Sequence, residues 1–243
     1  GRMTELMLSL RRSPRMLLER DGHPGPGPGH IGLVMSRAGV GKTAFLVALG
    51  LDALLTGKRV LHVTIDRSVD KVRGWYDDLL REMLRVEGKL DMLLPAQLDI
   101  ERRRHIHTYV GGSFSAARLQ AALDLVAGAM QFDPDVVVLD RIEFAELEAS
   151  ELERVRNIAA GVGAELWMAC RTHRDGPPPK PGHLPPPADR FEDLVDLAFR
   201  LDPYDAKIRL HVVKDQRQML DKDLNVVLDP QTMLLVSGVA VGR

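Results

Sequence analysis

The residues best suited to chemistry in this chain form a short run that ends in a lysine and a threonine. Small residues dominate the run, which lies between the apolar segment 31–35 and a segment of helical character. In order, the run and the residue after it are Ser36, Arg37, Ala38, Gly39, Val40, Gly41, Lys42, Thr43 and Ala44. A strand, such a loop, Gly-Lys-Thr and a helix are typical of a phosphate-binding loop. Main-chain N–H groups and the helix N-terminus would bind the phosphate oxygens.

Individual roles follow from the chemistry of these side chains. The Lys42 ammonium would reach the outer phosphates of ATP, and the Thr43 hydroxyl would be a ligand of Mg²⁺. The usual pattern begins with glycine, where this chain has Ser36, another small residue. Gly39 and Gly41 occupy the positions where backbone must approach phosphate most closely. The sequence therefore predicts ATP and Mg²⁺ as cofactors.

Two aspartates follow predicted strands. Asp140 ends the apolar run 136–139, so it would lie at the carboxyl edge of a parallel sheet and hold Mg²⁺; otherwise it is an ordinary surface residue. Asp66 ends a second strand, and its carboxylate would orient or deprotonate the attacking water or, equally, cap the helix that begins near Val69. Glu143, just past Asp140, is a weaker candidate than Asp66 for orienting or deprotonating the attacking water.

Further polar residues end later strands. Arg171, Thr172 and His173 follow the strand 164–169 and would sense the outermost phosphate, or simply be solvated at a strand end. Lys214 and Arg217 would act as cationic fingers on the nucleotide of a neighbouring subunit, or remain solvated charges.

Strands that alternate with helices position these residues. We expect an α/β fold with a mostly parallel sheet, helices on both faces and antiparallel strands at the C-terminal end. Residues 1–29 are predicted as an amphipathic segment with a Gly/Pro linker, and residues 30–243 as one domain. The predicted strands include 59–65, 105–110, 194–201, 207–213, 225–228 and 233–236. Ser150 is expected to cap a helix over 150–161, and residues 174–190, with seven prolines, to form no regular element.

Composition limits the class of protein. Lys and Arg total 33 against 34 Asp and Glu, so bulk electrostatic binding to nucleic acid is not expected. The single cysteine, Cys170, excludes an internal disulfide, predicts a cytoplasmic location and is expected to be buried and unreactive. No apolar stretch approaches the roughly 18 residues of a membrane helix.

The order of these features resembles the RecA/KaiC-type ATPases, which include the motor domains of replicative helicases. The loop 36–43, the strands ending at Asp66 and Asp140, and the polar residues 171–173 match in order, and the similarity covers roughly residues 28–237. The resemblance implies that the strand ending at 169 lies between the loop strand and the Asp140 strand. It also implies that Asp66 stands where the family has a catalytic glutamate, and that the chain forms a homo-oligomer. The segment 174–190 stands where relatives contact DNA.

These features predict slow, Mg²⁺-dependent ATP hydrolysis that controls conformation or assembly. Hydrolysis is expected to be slow because Asp66-Arg67 stands where relatives often carry two acids. The alternative is a weak or inactive nucleotide-binding module that docks a protein partner through residues 3–20 or 174–190. A small-molecule kinase ranks last because the prolines disfavour a helical lid, and a GTPase is disfavoured because no Asn-Lys-x-Asp motif is present.

Overall fold

The computed structural model describes residues 1–20, 22, 25–111, 114–173, 175–176, 178–215 and 218–236. Helices within these ranges are α1 (Arg2–Ser9), α2 (Arg15–Arg20), α3 (Lys42–Leu55), α4 (Val69–Val86), α5 (Leu93–Glu101), α6 (Ala116–Met130) and α7 (Ala149–Val162). Short 3₁₀ segments span Leu90–Met92 and Ala188–Leu194. The strands are β1 (Ile31–Ser36), β2 (Val60–Ile65), β3 (Arg104–Tyr109), β4 (Val136–Leu139), β5 (Glu165–Arg171), β6 (Leu197–Tyr204), β7 (Lys207–Asp215) and β8 (Gln218–Leu228).

All of these strands belong to one sheet, whose order is β3-β2-β4-β5-β1-β6-β7-β8. Strands β3 to β6 in this order pair in parallel, whereas β7 and β8 are antiparallel to their neighbours. The predicted α/β class, with a mostly parallel sheet and antiparallel strands at the C-terminal end, is therefore confirmed. The expected position of β5, between β1 and β4, is confirmed as well.

Helices cover both faces of the sheet because its central strands are apolar on both sides. Residues that alternate along β1 and β4 point to opposite faces, so each strand contributes to two cores. Side chains of α1 to α5 form one core with Val34 and Val138, and side chains of α6 and α7 form the other with Leu33 and Val137. This arrangement leaves the carboxyl ends of the parallel strands along one edge.

The N-terminal segment packs onto the rest of the chain. Leu6, Met7 and Leu10 are buried in the same core as α3. Arg11 makes two hydrogen bonds to the Asp52 carboxylate on α3, at 2.9 and 2.8 Å. Much of the apolar surface of residues 3–20, which the sequence suggested as a docking segment, is thus buried within the chain.

Several local predictions were wrong or incomplete. Ser150 lies inside α7, whose N-cap is Glu148, with no side-chain capping hydrogen bond. Residues 233–236 were predicted as a strand, but of these only Leu235 forms an isolated bridge, to Leu228 at the end of β8. A tight turn takes up the start of this segment, since the Met233 N–H donates to the Asp229 carbonyl and Met233 has a φ of 58°. Residues 90–101 form helical segments that the irregular apolar pattern did not reveal. The proline-rich stretch ends in the 3₁₀ segment that begins at Ala188.

Candidate functional site

The loop between β1 and α3 turns sharply at two glycines. Gly39 has a φ of 78° and Gly41 a φ of 119°, and both values lie in a region that residues with a Cβ atom rarely adopt. A Cβ atom at Gly41 would also collide with the methyl group of Met233, which packs against the loop. Backbone direction therefore explains the glycine at both positions, since the Met233 methyl group is the end of a flexible side chain and can move aside.

Lys42, the first residue of α3, turns its side chain back over the loop. Its ammonium donates to the main-chain oxygen and hydroxyl of Ser36, each at 3.3 Å, and to the main-chain oxygen of Arg37 at 3.1 Å. Burial lowers the pKa of Lys42 from its ordinary value. The ammonium is therefore held at the loop by weak neutral acceptors, which an anionic ligand could replace.

Asp140 lies directly beside Thr43, as the sequence predicted for the end of β4. The residue is 2% exposed, and its Oδ1 accepts a hydrogen bond of 3.2 Å from the Thr43 hydroxyl. The Nε2 atom of buried His62 lies 3.9 Å from Oδ2. Burial would raise the pKa of Asp140, but interactions with His62, Arg67 and Thr43 outweigh it and hold the pKa below its ordinary value. Asp140 is therefore a buried carboxylate that stays ionised.

Arg67 completes this cluster, and the sequence did not single it out as a site residue. Its Nη1 lies 2.7 Å from Asp140 Oδ2 and 3.2 Å from the Thr43 hydroxyl. The guanidinium also stacks over the Trp75 ring, 4.8 Å from its centroid. One signal was available: Arg67 follows the end of β2, and β2 pairs with β4, whose end carries Asp140.

A cavity of about 390 Å³ opens between the loop and the ends of β2, β4 and β5. Four cationic and two acidic residues contribute to its lining. They are Lys42, Arg67, Arg141, Arg171, Asp140 and Glu143. Because cations outnumber acids here while the whole chain is close to neutral, this cavity suits an anionic ligand.

The fit of a magnesium ion to this cluster is incomplete. A threonine hydroxyl and a carboxylate are suitable Mg²⁺ ligands, with water and phosphate oxygens supplying the rest. However, the Thr43 hydroxyl and the Asp140 carboxylate are both bound to the Arg67 guanidinium. Elsewhere in the described ranges, no group of three or more His, Cys, Asp or Glu could hold a metal ion. Thr43 and Asp140 thus have the right chemistry, but a cation of the chain already occupies them.

Asp66 faces a different environment from Asp140. It is exposed, and its carboxylate accepts a hydrogen bond of 2.7 Å from the Gly111 N–H. It lines a neighbouring cavity together with Arg141 and Glu143. Arg141 and Glu143 also line the loop cavity, whereas Asp66 is not among the described residues that line it. The helix-capping alternative is wrong, because Ser68 caps α4 by accepting from the Lys71 N–H. Glu143, the weaker candidate, is therefore the acid that reaches the loop cavity besides Asp140.

The polar residues after β5 lie beside the loop, since β5 pairs with β1. Arg171 lines the loop cavity, and the Thr172 N–H donates to the Ser36 carbonyl at 2.9 Å. Thr172 and His173 line an adjacent cavity of about 820 Å³, together with Arg37 and prolines of the segment 178–187. The three predicted sensor residues are thus divided between two cavities that share the loop as a wall.

Lys214 is turned toward its own chain. It is 7% exposed, its ammonium donates to the Glu192 carbonyl, and burial lowers its pKa. Arg217, the second predicted finger, lies outside the described residues. In this conformation Lys214 anchors the 3₁₀ segment to β7 rather than projecting away from the molecule.

No family model matches the sequence, and no curated protein matches it either. In the described part of the chain, no helix has the length and apolar character needed to cross a membrane.

Proposed function

We propose that this protein binds ATP at residues 36–44 and hydrolyses it slowly, as a P-loop ATPase of the RecA/KaiC type. The observation that carries the proposal is the convergence of Lys42, Thr43 and Asp140 on one cationic cavity at the start of α3. A helix N-terminus supplies unpaired N–H groups and partial positive charge, which favour phosphate. The strand order, with β5 between β1 and β4, agrees with this class.

Room for the nucleoside supports a nucleotide over a free phosphate. A cavity of about 570 Å³ lies on the other side of Thr43, between α3, α4 and residues 229–232. Trp75 and Leu79 give it apolar surface, and Asp78 and Gln231 provide polar atoms. Pockets that combine aromatic walls with a few polar groups are typical of small-molecule sites.

Each residue has a defined role in the proposed reaction. Lys42 exchanges its contacts with loop oxygens for the outer phosphates, where its charge offsets charge that develops during transfer. Arg171 adds a second cation from the end of β5. Glu143 is the acid best situated to orient water, since Asp66 is bound to Gly111 outside the loop cavity.

The placement of Asp66 also favours the second candidate, a nucleotide-binding module with little or no hydrolysis. A carboxylate committed to a main-chain N–H is poorly available to activate water. In that case the chain would transmit nucleotide occupancy to a partner through the segment 174–190, whose described prolines line the cavity next to Arg37.

Calorimetry with ATP tests the binding proposal. Lys42→Ala is expected to abolish measurable binding, and the matched change Lys89→Ala, at an exposed lysine after α4, should leave it intact. Unchanged ATP affinity in Lys42→Ala would refute the assignment. Phosphate release separates the candidates: a wild-type rate no faster than that of Lys42→Ala leaves only the binding module.

Assembly is a further part of the proposal. ATPases of the RecA/KaiC type, which the sequence resembles, place nucleotide at subunit boundaries, so we propose an ATP-dependent homo-oligomer. Size-exclusion chromatography with light scattering, with and without ATP, is expected to show a larger species with nucleotide. Single-stranded DNA added to the same experiment should not co-migrate, given the balanced charge of the chain.

A further inference from the structure

Arg67 contacts two side chains of the candidate site and not only the carboxylate with which it forms an ion pair. Its guanidinium bonds the Asp140 carboxylate at 2.7 Å and the Thr43 hydroxyl at 3.2 Å. These are the two side chains whose chemistry suits a divalent cation. A single positive group of the chain therefore interacts with both at once.

Two contacts keep the guanidinium there. Asp140 is buried and ionised, and an unpaired buried carboxylate would be costly. The Arg67 guanidinium carbon also lies over the Trp75 ring, 4.8 Å from its centroid. Burial lowers the pKa of Arg67, yet an arginine keeps its charge at any physiological pH. The result is a fixed cation rather than a mobile surface side chain.

Arg67 is also accessible from the loop cavity. Its side chain is 21% exposed, and it lines the loop cavity together with Lys42, Arg141 and Arg171. A guanidinium has five N–H donors in a planar fork that suits phosphate oxygens. Arg67 can therefore hold Asp140 with one edge and a phosphate with another.

We propose that the Arg67 guanidinium takes the position of the divalent cation, so that nucleotide binds at this loop without Mg²⁺. This inference rests on the proposed ATP binding, and it departs from the Mg²⁺ dependence that the sequence suggests. The ligand class is a nucleoside di- or triphosphate free of metal. Arg67 supplies the positive charge between Asp140 and the phosphates that a metal ion would otherwise supply.

Binding measured without metal tests the proposal. ATP is titrated into the protein in EDTA and again in excess Mg²⁺, by calorimetry and by tryptophan fluorescence. Trp75 contacts Arg67 and lines a cavity, whereas Trp167 is fully buried, so a fluorescence change would report on the site. The wild-type affinity is expected to be the same in both solutions within about threefold.

Arg67→Met removes the charge and keeps an apolar stem against Trp75. In EDTA its ATP affinity is expected to fall at least about tenfold, the effect of losing a hydrogen bond to a charged group. Excess Mg²⁺ should restore most of that affinity, because Thr43 and Asp140 become free. Arg73→Met, at an exposed arginine of α4, is the matched control and should behave as wild type. Arg67→Gln, which keeps hydrogen-bonding groups, covers the case in which Arg67→Met fails to fold.

The possible outcomes separate this inference from the proposed function. Wild-type binding only in Mg²⁺ overturns the role of Arg67 and leaves ATP binding intact. Equal affinity of Arg67→Met and wild type in EDTA, in folded proteins, overturns it as well and reduces Arg67 to a structural partner of Asp140. No binding in either solution removes both proposals.

Discussion

Asp66 and Asp140 follow neighbouring strands of the same sheet, yet they differ in burial and in hydrogen-bond partners. Asp140, after β4, is 2% exposed and bonded to Thr43 and Arg67. Asp66, after β2, is exposed, has a φ of 54° and bonds the Gly111 N–H. An apolar strand that ends in aspartate is thus one sequence pattern with two structural outcomes.

The difference comes from what lies beyond each strand end. β4 pairs with β5, which pairs with β1, so the end of β4 opens toward the loop and α3. β2 lies one strand further from β1, and its end is closed by the chain that follows β3. At the end of β2 it is Arg67, the next residue, that reaches the loop. Position in the sheet decides which side chain reaches the loop cavity.

The largest expected effect is a difference in the free energy of unfolding between alanine variants of Asp140 and Asp66. Asp140→Ala is expected to cost about 2–3 kcal/mol, because Arg67 and Thr43 lose a buried partner. Asp66→Ala removes one hydrogen bond at an exposed site and should cost less than about 1 kcal/mol. Urea denaturation of both variants measures the difference. Equal losses would show that burial at Asp140 has no energetic consequence.

Acid should remove the contribution of the Asp140 carboxylate to the free energy of unfolding. Because its pKa in the folded protein is lowered, its contribution is present above the ordinary aspartate pKa of about 4 and is lost as pH falls through the folded-state value. The gap in unfolding free energy between wild type and Asp140→Asn should therefore narrow below about pH 4. A gap independent of pH would contradict this, and Asp66→Asn provides the comparison at the exposed strand end.

Alkaline pH should weaken ATP binding before an ordinary lysine would lose its proton. The lowered pKa of Lys42 means that the empty loop loses this charge at a lower pH, so affinity falls as pH rises through that value. Lys42→Arg should flatten the pH profile, because arginine stays charged. Asp66→Asn is expected to keep the wild-type profile, whereas Lys42→Arg with an unchanged profile would argue against Lys42 as the titrating group.

The smallest expected effect concerns Cys170 on β5, next to Arg171. Burial raises the pKa of this thiol to about 12, so the nucleophilic thiolate is scarce and the side chain is covered. Labelling by a thiol reagent at neutral pH should be slow in the native protein. Asp140→Ala should accelerate it more than Asp66→Ala, since it loosens the strand beside β5. Rapid labelling of wild type would overturn the prediction.

Much of the architecture could be predicted because it depends on local patterns. The apolar runs of β1 and β4, the amphipathic period of α4 and the residues Gly39, Gly41, Lys42 and Thr43 each carry their own signal. The prediction that Ser150 caps a helix was wrong because a capping-box spacing also occurs inside a helix. The helical segments of residues 90–101 were not predicted because the spacing of their apolar residues is irregular.

Only part of the candidate site could be predicted from such local patterns. The sequence by itself determined the loop, Asp140 and the order of strands and helices, because short-range spacing and hydrophobic period encode them. Tertiary structure alone decided that Arg67 rather than Asp66 reaches the loop, that Glu143 lines the cavity and that Lys214 turns inward. These outcomes depend on which strands become neighbours and on where long side chains find partners, and both are interactions between residues far apart in the chain.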